Sequence, residues 1–419
     1  MKKTGAVLVG SALSLLAGNA AASGFSVSYQ SVSALGTAYA GAGVLSENAS
    51  NQWYNPATLA GLKQAELSAA IHQVWIDTTF EGDASTTPFG NASGDFDDVE
   101  PFIGSAFFAM PLSDMMTFGL GVNAPFGTKI EYDDGWGNVV APGVTSGDFY
   151  ATESDLKTYN VNPSLAIQLT DNLNVGVGFS YQRLDADIRN AATRLEGDDD
   201  GYGWNLGLTY SPDDNNHFGV AYRSKIAYDV EGDITFNSPI FPAPLAGKFK
   251  GEASVDLPAS LQLSYAGDLS DRTQILMGVE WMEWSNLDQL VIEHEGPSGA
   301  VPPGYNPAVE TFDWENTVRY SLGVRHAMND TTVLRVGVAQ EDSTQSTDNR
   351  SAISPDSDRV WVTLGAGFNP VDNMTIDVGY AHIFVDDADI NRSDKFGAPL
   401  VGTYELDADV IGAQMSYRF

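Results

Sequence analysis

Apolar residues alternate with small or polar residues in many segments of this chain, and this pattern restricts the possible folds more than any other feature. From Leu173 to Tyr181 every second residue is apolar, and the residues between them are Asn, Gly and Ser. The last nine residues, from Ile411 to Phe419, repeat the alternation. A period of two predicts β-strands with one apolar face and one polar face.

The composition of the polar face separates a membrane barrel from a soluble sandwich. Lys, Glu and Thr would be scattered over the polar face of a sandwich, whereas Gly, Ser, Asn and Gln dominate it here. Small polar residues suit a lumen, and strands of about 9–11 residues with this alternation are typical of outer-membrane barrels. Beyond the N-terminal segment no stretch approaches the ~18 consecutive apolar residues of a transmembrane helix. Aromatic residues near strand ends are expected to form belts at the membrane interfaces: Tyr181, Tyr210, Tyr222, Tyr265, Trp281, Trp284 and Tyr417.

Compact polar turns indicate the number of strands. Six short segments rich in Gly, Pro, Asn and Asp separate apolar alternations: 111–114, 170–172, 212–216, 267–271, 328–330 and 369–373. Six turns separate seven spans, each with two strands and one long loop, which gives fourteen strands. The predicted fold is therefore all-β, a 14-stranded antiparallel transmembrane β-barrel over residues 64–419. The expected long loops are 81–99, 128–155, 185–200, 228–253, 288–312, 341–357 and 385–405.

The N-terminus has the features of a secretory signal peptide. Lys2 and Lys3 precede an apolar stretch at 6–17, and small Ala residues follow at 20–22. That stretch is too short for a membrane helix, which needs about 20 apolar residues. We predict a signal peptide at residues 1–22.

Charge and composition exclude several classes of function. The chain has 55 Asp and Glu against 21 Lys and Arg, a formal charge of −34, so it lacks the basic clusters that bind nucleic acid. It has no Cys, and its five His residues are scattered without a metal-binding or catalytic spacing. We predict neither an enzyme nor a cofactor or metal site. The acidic runs in the loops are interpreted as solvated surface charge, and a divalent cation bound between acidic loops is the alternative.

Residues 23–63 precede the first predicted strand and are small and polar. The lumen of a fourteen-stranded barrel is intermediate in width. Side chains fill the lumen of eight-stranded barrels, and sixteen-stranded porins hold an aqueous channel. We predict that residues 23–63 form an N-terminal hatch that fills and gates the lumen. Without such a hatch the barrel would be a general diffusion porin, and a purely structural barrel or adhesin is a further alternative.

Several short motifs carry a family resemblance over the whole mature chain. Ser23-Gly24-Phe25, the segment from Ala34 to Gly41, and Asn55-Pro56-Ala57 resemble the hatch of FadL-type outer-membrane transporters of long-chain fatty acids and related hydrocarbons. The resemblance implies a monomeric, plugged barrel in the bacterial outer membrane that captures hydrophobic cargo outside and releases it sideways into the membrane. It also implies contact with outer-membrane lipid and lipopolysaccharide, and Phe419 resembles the signal for the barrel-assembly machinery.

The third predicted strand is interrupted before it can cross the membrane. Asn123-Ala124-Pro125-Phe126-Gly127 follows the alternation that begins at Thr117. Proline cannot donate to a strand ladder and is normally found at edges, strand starts or bulges. We predict a kink at Asn123, Pro125, Phe126 and Gly127 that opens a lateral gate in the wall, with Asn55, Pro56 and Ala57 packed against it. The alternative is that Pro125 only begins the next loop.

Two cargo sites are expected. The predicted loop between strands 7 and 8 carries an apolar run that includes Phe236, Ile240, Phe241 and Leu245, and such patches commonly mark binding surfaces. The alternative is that this run packs on neighbouring loops. The resemblance favours a binding groove there, and a tighter internal site beside Phe25.

Basic residues of the family hold the cargo carboxylate at the internal site. The resemblance places one of them at Arg189, with Arg319 as the second candidate, while Glu310 stands near the position of a family lysine. A lumen Arg is otherwise expected to pair with lumen acids such as Glu280 and Asp377. Long-chain fatty acids are therefore the expected cargo, and neutral aromatic or aliphatic hydrocarbons are the alternative.

Overall fold

The chain forms a closed antiparallel β-barrel. The computed structural model describes residues 24–83, 85–86, 91–92, 94–95, 100–237, 246–296, 307–393 and 397–419, and the predicted signal peptide lies outside them. These residues form fourteen wall strands, which confirms the predicted number. The first and last strands pair from Glu66↔Arg418 to Gly82↔Gly402. Closure removes the free sheet edges that lipid cannot solvate.

The wall strands are long, and several have a short break. They are β1 (Glu66–Gly82), β2 (Phe102–Ser113), β3 (Met116–Asn123 and Gly127–Glu131), β4 (Glu153–Thr170), β5 (Leu173–Arg189), β6 (Thr193–Asp213), β7 (Asn216–Arg223 and Ile226–Phe236), β8 (Gly247–Leu257 and Ser260–Ser270), β9 (Thr273–Met282 and Gln289–His294), β10 (Ala308–Thr311 and Thr317–Asn329), β11 (Thr332–Glu341), β12 (Arg359–Val371), β13 (Met374–Val385 and Ala388–Arg392) and β14 (Leu400–Arg418).

The remaining elements are short. Small strands lie at Asn91–Ala92, Gly94–Asp95, Gly137–Ala141 and Val144–Thr145. The helices are α1 (Val32–Leu35) and α2 (Gly147–Tyr150), with 3-10 turns at Ala49–Trp53, Pro56–Gly61 and Trp284–Asn286. Within the described residues, no helix has the length and apolar character needed to cross a membrane.

The six predicted short turns lie at one end of the barrel. Each is a two-residue connection, such as 114–115 between β2 and β3 and 171–172 between β4 and β5. The wall side chains alternate as expected: Val177 and Phe179 are 47% and 50% exposed on the outside, whereas Ser180 is buried inside. Trp284 does not join an aromatic belt, because its side chain is fully buried in the interior.

The strands extend farther beyond the aromatic belt than the sequence indicated. The segment 185–200 was expected to be a loop, but β5 continues to Arg189 and β6 begins at Thr193. Outward positions there carry charged residues such as Asp187 and Arg194 instead of apolar ones. The apolar alternation ends where this hairpin leaves the membrane, although the strands continue.

The N-terminal segment lies inside the barrel, and most of residues 24–62 are buried. Ser31 caps α1 through Ala34 N, and Asn55 caps the second 3-10 turn through Ala57 N. Gly176 and Gly207 line the lumen, and a Cβ at either position would collide with the turn at Asn55 and Pro56. The small residues of the lumen face thus permit close packing of the hatch.

Glu47 joins the hatch to the wall by ion pairs. Its carboxylate lies 3.2 Å from Nε of Arg325 and also contacts Nη2 of Arg335. Nη1 of Arg335 in turn lies 2.8 Å from Oδ1 of Asp377. Burial by itself would raise the pKa of Glu47, but the guanidinium groups of Arg335 and Arg325 hold it below its ordinary value. The ionised carboxylate therefore anchors the hatch electrostatically.

Candidate functional site

Strand β3 is interrupted where the sequence predicted a kink. Its pairing with β4 stops at Asn123↔Asn160 and resumes at Gly127↔Lys157. Three residues of β3 lie in this break, opposite two residues of β4. The extra residue makes a bulge, and Pro125 within it has no N–H to donate. Pro125 therefore interrupts the wall strand and does not merely begin a loop.

The interruption leaves a gap between β2 and β3. These strands pair only from Ala106↔Val122 to Ser113↔Met116. Strand β2 nevertheless continues along β1 as far as Phe102. No ladder pair joins 102–105 to 123–126, although both segments are described throughout. The wall lacks its continuous hydrogen-bonded ladder at this position.

The N-terminal residues of the hatch lie against this gap from inside. Val27 N donates to Pro125 O at 2.8 Å, and Gly127 N donates to Phe25 O at 2.8 Å. Ser26 forms an antiparallel bridge with Phe126. The segment at 25–27 thus acts as a short additional strand that satisfies the backbone groups freed by the kink.

Gln30 links the two sides of the gap. Its Nε2 donates to Ala124 O and to Val27 O, both at 2.9 Å, and its Oε1 accepts from Asn123 Nδ2 at 3.0 Å. Its backbone oxygen accepts from Ser105 Oγ of β2 at 2.9 Å. No sequence motif singled out this residue, because its partners on β2 and β3 lie 75–94 positions away.

Replacing Gln30 with Ala should loosen the closure of the gap. On β3, the acceptor Ala124 O and the donor Asn123 Nδ2 would each lose a buried partner, at a cost of about 1–3 kcal/mol. We expect faster amide hydrogen exchange, measured by mass spectrometry, in peptides covering 24–30 and 123–130. Gln340→Ala, at an exposed outer position of β11, is the matched control. Unchanged exchange in both peptides would show that Gln30 does not hold this closure.

Phe25 borders an apolar cavity. The cavity walls include Leu184 and Ile188 of β5, Leu290 of β9 and Phe312. The ring of Phe25 also packs against Trp314, with 4.9 Å between centroids, and against Trp284 at 6.1 Å. Walls of this apolar character suit a hydrophobic small molecule.

Arg189 does not reach this cavity, and the prediction of a carboxylate site there is wrong. Ile188 lines the cavity, so the alternation of β5 directs Arg189 to the outside of the wall. Its guanidinium lies 2.6 Å from Glu153 and 2.7 Å from Asp187. Partial burial would raise the pKa of Asp187, but hydrogen bonds from Arg194 and Arg189 lower it to about 2. Arg189 is therefore already paired with ionised acids.

Arg319 lies inside the lumen but is also paired. It contacts Glu280 through Nη2, donates from Nη1 to Ser28 Oγ at 2.7 Å, and lies with Cζ 5.0 Å from the Tyr39 ring centroid. These contacts fix the hatch to β9 and β10. Glu310 lies 3.5 Å from Nη1 of Arg392 and supplies no positive charge.

The predicted outer capture residues are only partly described. Ile240, Phe241 and Leu245 lie outside the described residues. Phe236 ends the second segment of β7 and is only 1% exposed. It packs with Ile234, Ala192 and Ile292, and its ring lies 5.9 Å from that of Phe249. Phe236 therefore belongs to a buried cluster instead of an exposed binding surface.

The motif at Asn55, Pro56 and Ala57 packs against a different part of the wall than predicted. Asn55 Nδ2 donates to Gly43 O at 2.7 Å and to Leu208 O of β6 at 3.0 Å. Pro56 and Ala57 lie against β5 at Gly176. The kink is instead covered by residues 25–30, because the start of the hatch lies beside β3.

Comparison with known proteins agrees with this architecture. Residues 13–419 match the family model described as outer membrane protein transport protein (OMPP1/FadL/TodX). The chain belongs to this family. Its relatives include outer membrane protein P1 of Haemophilus influenzae, 29% identical over 91% of this chain and 90% of the relative. The long-chain fatty acid transport protein of Escherichia coli is 24% identical over 97% of both chains.

Solved structures of family members share the fold. A Pseudomonas aeruginosa FadL homologue superimposes with a TM-score of 0.83 and 21% identity, covering 94% of this chain and 100% of that one. The toluene transporter TbuX of Ralstonia pickettii gives a TM-score of 0.64 at 17% identity, covering 92% and 98%. The family and the barrel place this protein in the bacterial outer membrane. Members of the family are transporters rather than enzymes.

Proposed function

We propose that this protein moves hydrophobic molecules, long-chain fatty acids above all, across the outer membrane without catalysing a reaction. Cargo occupies the apolar cavity beside Phe25 and leaves through the gap in β3. The observation that carries this proposal is the position of residues 25–27: Phe25 borders the cavity, and the segment pairs with the kink at Pro125 and Gly127. A ligand that displaces Phe25 acts directly on the segment that closes the wall.

Release through the wall is energetically favourable for such cargo. Apolar surface gains about 25 cal/mol per Å² when it stays out of water. A ligand leaving through the gap at 102–105 and 123–126 enters lipid, whereas release into the periplasm would return it to water. The lateral route therefore keeps the gain that drew the ligand into the cavity.

Truncation of Phe25 tests the role of the cavity. Phe25→Ala should weaken binding of lauric acid to the purified protein by about tenfold, because the ring supplies part of the apolar wall. Equilibrium binding in detergent solution measures the effect. Phe384→Ala is the matched control, since Phe384 is 52% exposed on the outside of β13. Equal affinity of all three proteins would contradict the cavity assignment.

Neutral hydrocarbons are the second candidate cargo. The described residues that line the apolar cavity include no Lys or Arg. The toluene transporter TbuX has the same fold, which is compatible with a neutral cargo. Comparing lauric acid with dodecanol distinguishes the two classes. A general diffusion porin is disfavoured because the hatch is packed into the lumen.

We propose that cargo is first captured at the loop between β7 and β8, most of which lies outside the described part of the chain. We propose a monomer surrounded by outer-membrane lipid and lipopolysaccharide, with no nucleic-acid partner. Phe419, which is 70% exposed at the end of β14, is proposed as the recognition signal for barrel assembly.

A further inference from the structure

A second cavity also adjoins the N-terminal segment. We call it the polar chamber. It is bounded by Ser26, Val27 and Ser28 of the hatch and by Pro125 and Phe126 of the kink. The opposite wall carries polar side chains of β6 to β10: Asn205, Arg223, Ser260, Gln262, Glu280 and Arg319. The polar chamber therefore adjoins both the N-terminal segment and the kink of β3.

Arg223 is held rigidly in the wall of this chamber. Its Cζ lies 3.7 Å from the centroid of the Trp53 ring, so the guanidinium stacks on the indole. Nη2 donates to Trp53 O at 2.8 Å, and Nη1 donates to Ser180 Oγ at 3.2 Å. These neutral partners orient the guanidinium without compensating its charge.

The charged groups of the chamber do not balance. Arg319 pairs with Glu280, so these two side chains cancel. Arg223 has no carboxylate within 4.0 Å among the described residues, which leaves one positive charge in the chamber. The protein as a whole carries a formal charge of −34, so this excess is opposite to the overall sign. A guanidinium removed from bulk water favours an anionic partner, and a planar guanidinium suits a carboxylate.

From this geometry we infer that Arg223 binds the carboxylate head group of an amphiphilic cargo in the polar chamber. Phe25 faces the apolar cavity and Ser26 the chamber, so adjacent residues separate the place for the tail from the place for the head. The inference rests on the proposed transport of hydrophobic molecules and adds the residue and the chamber that hold a carboxylate head group. It moves the expected carboxylate site from Arg189 on the outer wall to Arg223 in the lumen.

Binding of matched ligands to variants tests this assignment. Lauric acid and dodecanol have the same chain length and differ in their head groups, and acetate supplies the head group without a tail. Affinities are measured at pH 8 on the purified protein, Arg223→Gln and Arg223→Lys. Arg183→Gln is the matched control, because Arg183 faces outward on β5 and pairs with Asp185 and Asp198. Heat-modifiable migration in electrophoresis verifies that each barrel is folded.

Arg223→Gln should weaken laurate binding by about tenfold and leave dodecanol binding unchanged. Arg223→Lys should keep most of the preference for laurate, and the control should behave like the unmodified protein. An unchanged ratio of laurate to dodecanol affinity in folded Arg223→Gln would overturn the inference. Acetate binding as strong as laurate binding would also overturn it, since the site would then hold small anions only. Failure of the unmodified protein to bind either long-chain ligand would instead contradict the proposed function.

Discussion

Removing residues 24–63 should convert the closed barrel into an open channel. The hatch fills a lumen that fourteen strands would otherwise leave wide enough for water and ions. We expect the conductance in planar bilayers to rise by at least about tenfold, from near zero in the intact protein. The wall closes through β1 and β14 without the hatch, so the truncated barrel should still assemble.

A variant that weakens the attachment of the hatch without deleting it separates loss of the hatch from damage to the wall. Glu47→Gln removes the charge that pairs with Arg325 and Arg335, while Arg335 keeps its ion pair with Asp377. Breaking a well-buried ion pair costs about 3–5 kcal/mol. Because Glu47 is 17% exposed, the loss in stability should be smaller, and we expect transient openings in the conductance recording. Glu405→Gln, at an exposed position of β14, is the matched control. Equal conductance of the intact and truncated proteins would refute the gating role of the hatch.

Repairing the ladder of β3 should abolish uptake while cargo binding persists. Deleting Ala124 and replacing Pro125 with Val removes the extra residue and restores a backbone donor. The repaired strand can then pair with 102–105 of β2 and close the gap. We expect uptake of labelled lauric acid by cells to fall to the level of cells that lack the protein.

The control for this repair is another proline in the wall. Pro163 lies in β4 opposite Leu120 and away from the gap, so Pro163→Val adds a donor without closing the wall. Its uptake should equal that of the unmodified protein. Binding of lauric acid to the purified repaired variant shows that the cavity is intact. Normal uptake by a correctly inserted repaired barrel would exclude lateral release through β3.

Local sequence patterns predicted the wall well. The period of two and the polar turns predicted all fourteen strands. Both signals are local, because the face to which a strand side chain points alternates from one residue to the next. The interruption at Pro125 was predictable for the same reason, since the missing N–H belongs to the residue itself. The outward position of Arg189 was also predictable from the sequence. Counting by two from Tyr181, which faces outward, reaches Arg183, Asp185, Asp187 and Arg189. The family resemblance points to the lumen at this position, whereas the alternation points to the outside of the wall.

Contacts between distant segments could not be obtained in this way. Gln30 meets Ala124 across 94 residues, and Arg223 stacks on Trp53 across 170. No periodicity relates such pairs, because they depend on how the hatch is oriented inside the closed barrel.

The sequence by itself determined the barrel, its strand number and the position of its weakest wall strand, since each follows from backbone geometry over a few residues. The tertiary structure alone decided which hatch residues cover the gap and that Asn55 docks on β6 instead of β3. It also decided which lumen arginines have acidic partners. Those outcomes depend on shape and charge complementarity between surfaces that meet only after the barrel has closed.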